Sequence, residues 1–170
     1  MSVSLKSISW ADVKEIKHLS GCRIIVNGVR YRADNYGSDG CGTRWKFFGK
    51  DFIVKVDSRY KFATVCGYIT PNAIYQSKGE YDTYNKIHKR DRKWFTKPLY
   101  FDGRSLIVHA LHDLRGTFTI KPKHKSIIER LKDKYNIGDI DVDYGHNCAL
   151  IMENGELRPI IFDYGWVNKT

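Results

Sequence analysis

Three dipeptides constrain this chain more than any other feature: Asn27-Gly28, Asp102-Gly103 and Asn154-Gly155, each between short strand-like runs. Asn-Gly and Asp-Gly reach the positive backbone angles of two-residue hairpin turns at little steric cost. A chain punctuated in this way folds into antiparallel hairpins. Arg23–Val26 with Val29–Arg32 is the first, Lys97–Phe101 with Ser105–Ala110 the second, and Cys148–Met152 with Pro159–Phe162 the last. Two further strand-like runs, Arg44–Phe48 and Phe52–Val56, are joined by Gly49-Lys50-Asp51. Helical spacing occurs in three places. Residues 9–19 read as a short helix with Ser9 as N-cap and Gly21 as its end. Residues 74–88 carry Ile74, Tyr81, Tyr84 and Ile87 near helical spacing, and 123–135 form a basic helix on Ile127, Ile128 and Leu131. The order is a series of strands with one helix inserted among them, then a helix, then a hairpin, which is an α+β fold.

A chain of 170 residues, 42% hydrophobic and 28% charged, buries a core without disulfides and is neither disordered nor collagen-like. No apolar run approaches a bilayer span, and the first residues lack a secretory core and cleavage site. The expectation is a soluble, cytoplasmic protein with no membrane partner. Cys22, Cys41, Cys66 and Cys148 show no metal-ligand spacing and are expected as reduced thiols. The formal net charge is +10. Residues 61–135 hold 16 basic and 7 acidic side chains, whereas 136–170 hold 2 and 6. A basic middle segment favours polyanions: nucleotide phosphates, nucleic acid or an acidic protein. It is equally compatible with a solvated face. The acids from Asp139 to Asp163 are more telling, because they sit among apolar residues.

Four features bear on chemistry. Gly37, Gly40 and Gly42 form a glycine-rich turn whose backbone N–H groups can approach phosphate oxygens, or a flexible hairpin loop. Lys55 interrupts the apolar run Phe52–Val56, reaching either a ligand phosphate or solvent. Glu80 lies on the helix between strands, solvated or held as an ion-pair partner of Lys55. The segment Gly138–Asn147, with Asp141 and Asp143, precedes the last hairpin, which returns the chain to Asp163-Tyr164-Gly165. Carboxylates with an asparagine oxygen make a hard-oxygen set suited to Mg²⁺ carrying phosphates. There is no G-x-x-x-x-G-K-[ST], H-E-x-x-H or G-x-S-x-G, and the six histidines form no cluster with a nucleophile.

In this order the features resemble the protein kinase-like phosphotransferase superfamily, most closely its very short phage-encoded members. Lys55 in its strand resembles the kinase strand lysine, and Asp163-Tyr164-Gly165 resembles the metal-binding Asp-Phe-Gly. The resemblance implies a five-stranded antiparallel N-lobe with one inserted helix over residues 1–111. A minimal, truncated C-lobe with a helix and a metal-site hairpin would occupy 112–170. It implies ATP and Mg²⁺ as cofactors and a host-cell cytoplasmic setting. Gly37, Gly40 and Gly42 would cover the phosphates, and Lys55, held by Glu80, would grip them. Backbone near Val108 and Ala110 would meet the adenine edge. Asn147 and Asp163 would hold the metal, with Asp141 or Asp143 as the base toward an acceptor such as an acidic host protein. Two departures stand out. The glycines run G-x-x-G-x-G, and Asp141 and Asp143 lie six and four residues before Asn147 where the family has five. The alternatives are a catalytically inactive kinase-like protein that binds a partner, and a basic nucleic-acid binder using Lys89, Trp94, Phe95 and Lys97.

Overall fold

A computed structural model describes residues 4–19, 22–33, 35–36, 44–57, 63–65, 68–70, 76–110, 120–138, 140–143, 145 and 147–164. Twelve strands and two helices lie among them: β1 (Ile16–His18), β2 (Arg23–Val26), β3 (Val29–Arg32), β4 (Asn35–Tyr36), β5 (Arg44–Phe48), β6 (Phe52–Asp57), β7 (Ala63–Val65), β8 (Tyr68–Thr70), α1 (Gln76–Lys86), β9 (Pro98–Phe101), β10 (Ser105–His109), α2 (Pro122–Tyr135), β11 (Cys148–Glu153) and β12 (Glu156–Ile161). The fold is α+β, and the strands within its sheets pair antiparallel. It divides into two compact units, Met1–Lys78 with Pro98–Ala110, and Gly79–Lys97 with Leu111–Thr170.

The first unit holds a three-stranded sheet in the order β1-β2-β3 and a five-stranded sheet in the order β4-β5-β6-β10-β9. Asn27 and Gly28 have φ of 49° and 80°, as a two-residue turn between β2 and β3 requires. This hairpin does not belong to the five-stranded sheet, whose outer strand is instead Asn35–Tyr36. The helix expected over residues 9–19 is not formed. A short 3₁₀ turn, Trp10–Asp12, leads instead into β1. Ser9 caps nothing; its hydroxyl donates to the Asp51 carboxylate at 2.7 Å. The cause is long-range. The Asn27 amide accepts from Lys14 N–H at 2.8 Å and donates to the Asp12 carbonyl, drawing residues 12–15 alongside β2.

Alternation decides which side chains form the core here. Phe52, Val54 and Val56 of β6 join Phe47 of β5, Ile107 of β10, and Ile24 and Val26 of β2 in one buried cluster. Trp10 meets the Phe52 ring edge-on at 5.7 Å. The intervening residues Ile53, Lys55 and Asp57 therefore occupy the opposite face of the sheet.

The second unit is built around α2 and the β11–β12 hairpin. Pro122 opens α2 at a position where its missing N–H costs nothing, and Asn136 closes it in the left-handed region at φ 55°. Ile128 and Leu131 of α2 pack with Phe95, Ile137, Cys148, Ile161 and Tyr164. Phe95 meets the Tyr135 and Tyr164 rings edge-on at 5.9 and 5.2 Å. The chain before β9 is tied to the hairpin by Thr96 N–H donating to the Ile161 carbonyl at 2.9 Å.

Candidate functional site

Lys55 lies mid-strand in β6, opposite Leu106 of β10 and Lys46 of β5. Cross-strand partners share a face, so Leu106 and, one pleat on, Val108 lie on the face that carries Lys55. Leu106 and Val108 are buried yet stand outside the apolar cluster of the other face. Ala110 follows β10, and its N–H donates to the Asp51 carbonyl at 2.8 Å. Lys55 is 4% exposed. Among the described residues it is the only buried lysine or arginine, and Glu80 on α1, 0% exposed, is the only buried glutamate. Both are thus removed from the solvated surface that most side chains of their type occupy.

Asp57 was not singled out from the sequence, although it follows Lys55 at the strand period of two. It is buried, and its carboxylate accepts Ser77 N–H at 3.0 Å and the Ser77 hydroxyl at 2.7 Å. A carboxylate at the first turn of α1 satisfies donors that the helix leaves unpaired and complements its dipole. Glu80 lies one turn further along the same helix.

In the second unit the hairpin register does the work. Cys148 pairs with Ile161, so the residues just outside the ladder, Asn147 and Phe162, lie opposite one another. Phe162 N–H donates to the Asn147 carbonyl at 3.0 Å, and Asp163 follows directly. Asn147 and Asp163 therefore stand at one end of one hairpin. Both have left-handed backbones, with φ of 55° and 57°, a conformation that Asn and Asp reach more readily than other side-chain-bearing residues. Tyr164 next to them is fully buried, and its hydroxyl donates to the Thr96 carbonyl at 2.5 Å. Burial first, and then the nearby charge of Glu80, push this phenol well above its usual range, so it remains a proton donor. The field of Glu80 thus reaches the Asp163-Tyr164 end of the hairpin.

The two rival aspartates behave differently. Asp143 is exposed and pairs with Lys125 Nζ of α2 at 2.7 Å. That hydrogen bond, with the attraction of Asp143, raises the Lys125 pKa above its usual value. Asp141 is exposed as well, and its Oδ1 accepts Asp143 N–H at 3.0 Å, which fixes its carboxylate in the turn. Lys125, the residue that distinguishes the two, was visible in the sequence only as one charge in a basic helix.

Gly37, Gly40 and Gly42 lie outside the described residues. Among the described residues no three His, Cys, Asp or Glu side chains gather as a metal cage. An Asn147–Asp163 pair is nonetheless the donor set that Mg²⁺ accepts when phosphates and water complete its shell, since this ion seldom uses an all-protein cage. Phe95 lies in the core at 3% exposure, and the Trp94 ring is covered by Lys93 Nζ at 4.8 Å and the Arg158 guanidinium at 5.9 Å. Phe95 therefore offers no open stacking face, and the Trp94 ring is already engaged by cations. Among the described residues no helix is long and apolar enough to cross a membrane. Comparisons with protein-family models, with curated proteins and with solved structures each find no match to this chain.

Proposed function

We propose that this protein is an ATP- and Mg²⁺-dependent phosphotransferase of the protein kinase-like kind, acting on an acceptor hydroxyl. The observation that carries the reading is the hairpin end, which holds Asn147 and Asp163 together on left-handed backbone. The burial that singles out Lys55 and Glu80 supports it. On this reading the five-stranded sheet with α1 is an N-lobe, and α2 with the last hairpin is a minimal C-lobe.

Phosphoryl transfer asks a protein mainly for positioning and for charge stabilisation. Lys55 would bind the nucleotide phosphates, and Glu80 is the carboxylate that the kinase resemblance assigns to it. Val108 and Ala110 would lie along the nucleotide base. Asn147 and Asp163 would hold Mg²⁺, which would supply positive charge against the phosphates. Asp141 orients the acceptor hydroxyl and takes its proton. Asp143, already committed to Lys125, is the weaker candidate for that step. An acidic host protein is the acceptor class that a chain of net charge +10 favours.

Isothermal titration of ATP with and without Mg²⁺ tests this. Wild-type protein is expected to bind in the micromolar range with Mg²⁺ and more weakly without it. Lys55→Ala is expected to lose binding in both conditions, and Asp163→Asn to lose the Mg²⁺ dependence. Asp163→Gly keeps the backbone conformation without strain and is expected to fail in the same way as Asp163→Asn. Unchanged Mg²⁺-dependent binding in both Asp163 variants would overturn the reading.

A further inference from the structure

We infer that the second unit carries a docking surface for the phosphate backbone of duplex nucleic acid, separate from the residues assigned above. The lysines and arginine of α2 divide by what they touch. Lys125 pairs with Asp143 at 2.7 Å, and Lys132 Nζ donates to the Ile140 carbonyl at 3.0 Å. Lys123, Arg130 and Lys134 are exposed and fall elsewhere on the helix. Arg130 and Lys134 lie seven and eleven residues beyond Lys123, about two and three turns, so the three form one stripe about 16 Å long.

The stripe continues onto the turn before Trp94. Lys134 Nζ meets the Asp91 carboxylate at 2.6 Å, and the Tyr135 hydroxyl donates to the same carboxylate at 2.7 Å. These bonds, together with the charges of Lys134 and Arg130, hold Asp91 below its usual carboxylate range. Asp91 is thereby spent internally and buried, while Lys89 and Arg90 beside it are exposed. Among the described residues, neither they nor Lys123 and Arg130 make an ion pair. The acids closest in sequence, Glu129 and Asp133, are exposed on α2 but displaced sideways from the stripe by its helical repeat.

The chemistry of the surface selects its occupant. A specific protein partner needs an apolar centre to bury. The large exposed apolar side chains among the described residues are Val29, Tyr100 and Met152, none of which belongs to this surface. Single strands bind through aromatic stacking, and here Phe95 is buried while Lys93 and Arg158 already sit against the half-buried Trp94 ring. What remains is a row of exposed cations, in which Lys134 is held by Asp91 and Lys89, Arg90, Lys123 and Arg130 are left for phosphates; it matches a duplex backbone and carries no sequence readout.

The test is fluorescence anisotropy with a labelled 20-base-pair DNA of arbitrary sequence, titrated between 50 and 200 mM KCl. With four or five phosphates contacted, the slope of log K against log salt is expected near −4. Arg90→Glu with Arg130→Glu is expected to weaken binding about tenfold or more and to shorten the slope by about 2. Lys89→Gln with Arg90→Gln, which leaves α2 intact, is expected to give a smaller loss in the same direction. Arg30→Glu with Arg32→Glu on β3 imposes the same change in net charge and is expected to leave affinity within about threefold. Equal loss in that control would overturn the inference in favour of diffuse charge. Tighter binding of a poly-glutamate peptide than of the duplex would overturn it in favour of an acidic protein. Retained ATP binding in the Arg90 and Arg130 variants keeps this outcome distinct from failure of the phosphotransferase reading.

Discussion

Single residues in this protein are placed by the satisfaction or frustration of their polar atoms, and His124 shows the consequence. It sits in the first turn of α2 at 3% exposure, and among the described residues its Nδ1 has no hydrogen-bond partner. Burial, and then the charges of Lys123 and Lys121, lower its pKa from the usual 6.5. The folded protein therefore holds this imidazole neutral, while the unfolded chain binds a proton near pH 6.5. The sign follows from linkage. The contribution is complete above pH 6.5 and is lost as pH falls from there through the lower folded value, because the unfolded state then binds more protons. Urea midpoints for the wild type are expected to drop between pH 7.5 and 5.5, in a range where carboxylates do not yet titrate. In His124→Phe the slope over that range should flatten. Parallel slopes in the two proteins would show that His124 is not the titrating group.

At the level of elements, the joints matter more than the strands. Asp57 fixes the first turn of α1 to the end of β6 through Ser77. Asp57→Ala leaves a buried N–H and a hydroxyl unpaired, which is expected to cost about 2–3 kcal/mol. Asp57→Asn retains an acceptor and should cost less. Urea unfolding ranks the two, and faster hydrogen exchange at Ser77 would locate the damage. A loss in Asp57→Ala below about 0.5 kcal/mol would contradict the assignment. The same distinction between strand and joint explains what the sequence could convey. The last hairpin was legible because Asn154-Gly155 sets the turn, and counting outward from it pairs Cys148 with Ile161 and leaves Asn147 and Asp163 at one end. Lys55 was legible as a cation interrupting an apolar strand. The helix wrongly expected over 9–19 was not recoverable locally, because the Asn27 amide that straightens residues 12–15 lies a dozen or more residues away. Nor was the place of β4 in the five-stranded sheet, since two residues carry no period. Asp57 could have been found by extending the alternation of β6 one step past Val56.

For the molecule as a whole, 29 lysines and arginines against 19 acids set a balance that no single contact reverses. Salt acts on this chain in two opposed ways. It weakens exposed ion pairs, of which Lys17–Glu15 and Lys125–Asp143 are examples, and such solvent-screened pairs contribute little. It also screens the mutual repulsion of a surface with net charge +10. Between 10 and 150 mM the screening length falls from about 30 to about 8 Å, so repulsion across the molecule is removed while contacts near 3 Å are only weakened. Repulsion therefore dominates the change. The thermal midpoint is expected to rise by a few degrees over this interval and then to level off, as read by circular dichroism in NaCl. A short DNA duplex added at low salt should reproduce the rise by binding the folded state, and should lose that effect at 150 mM as its affinity falls. A midpoint that fell with added NaCl would mean that ion pairs outweigh repulsion in the folded protein.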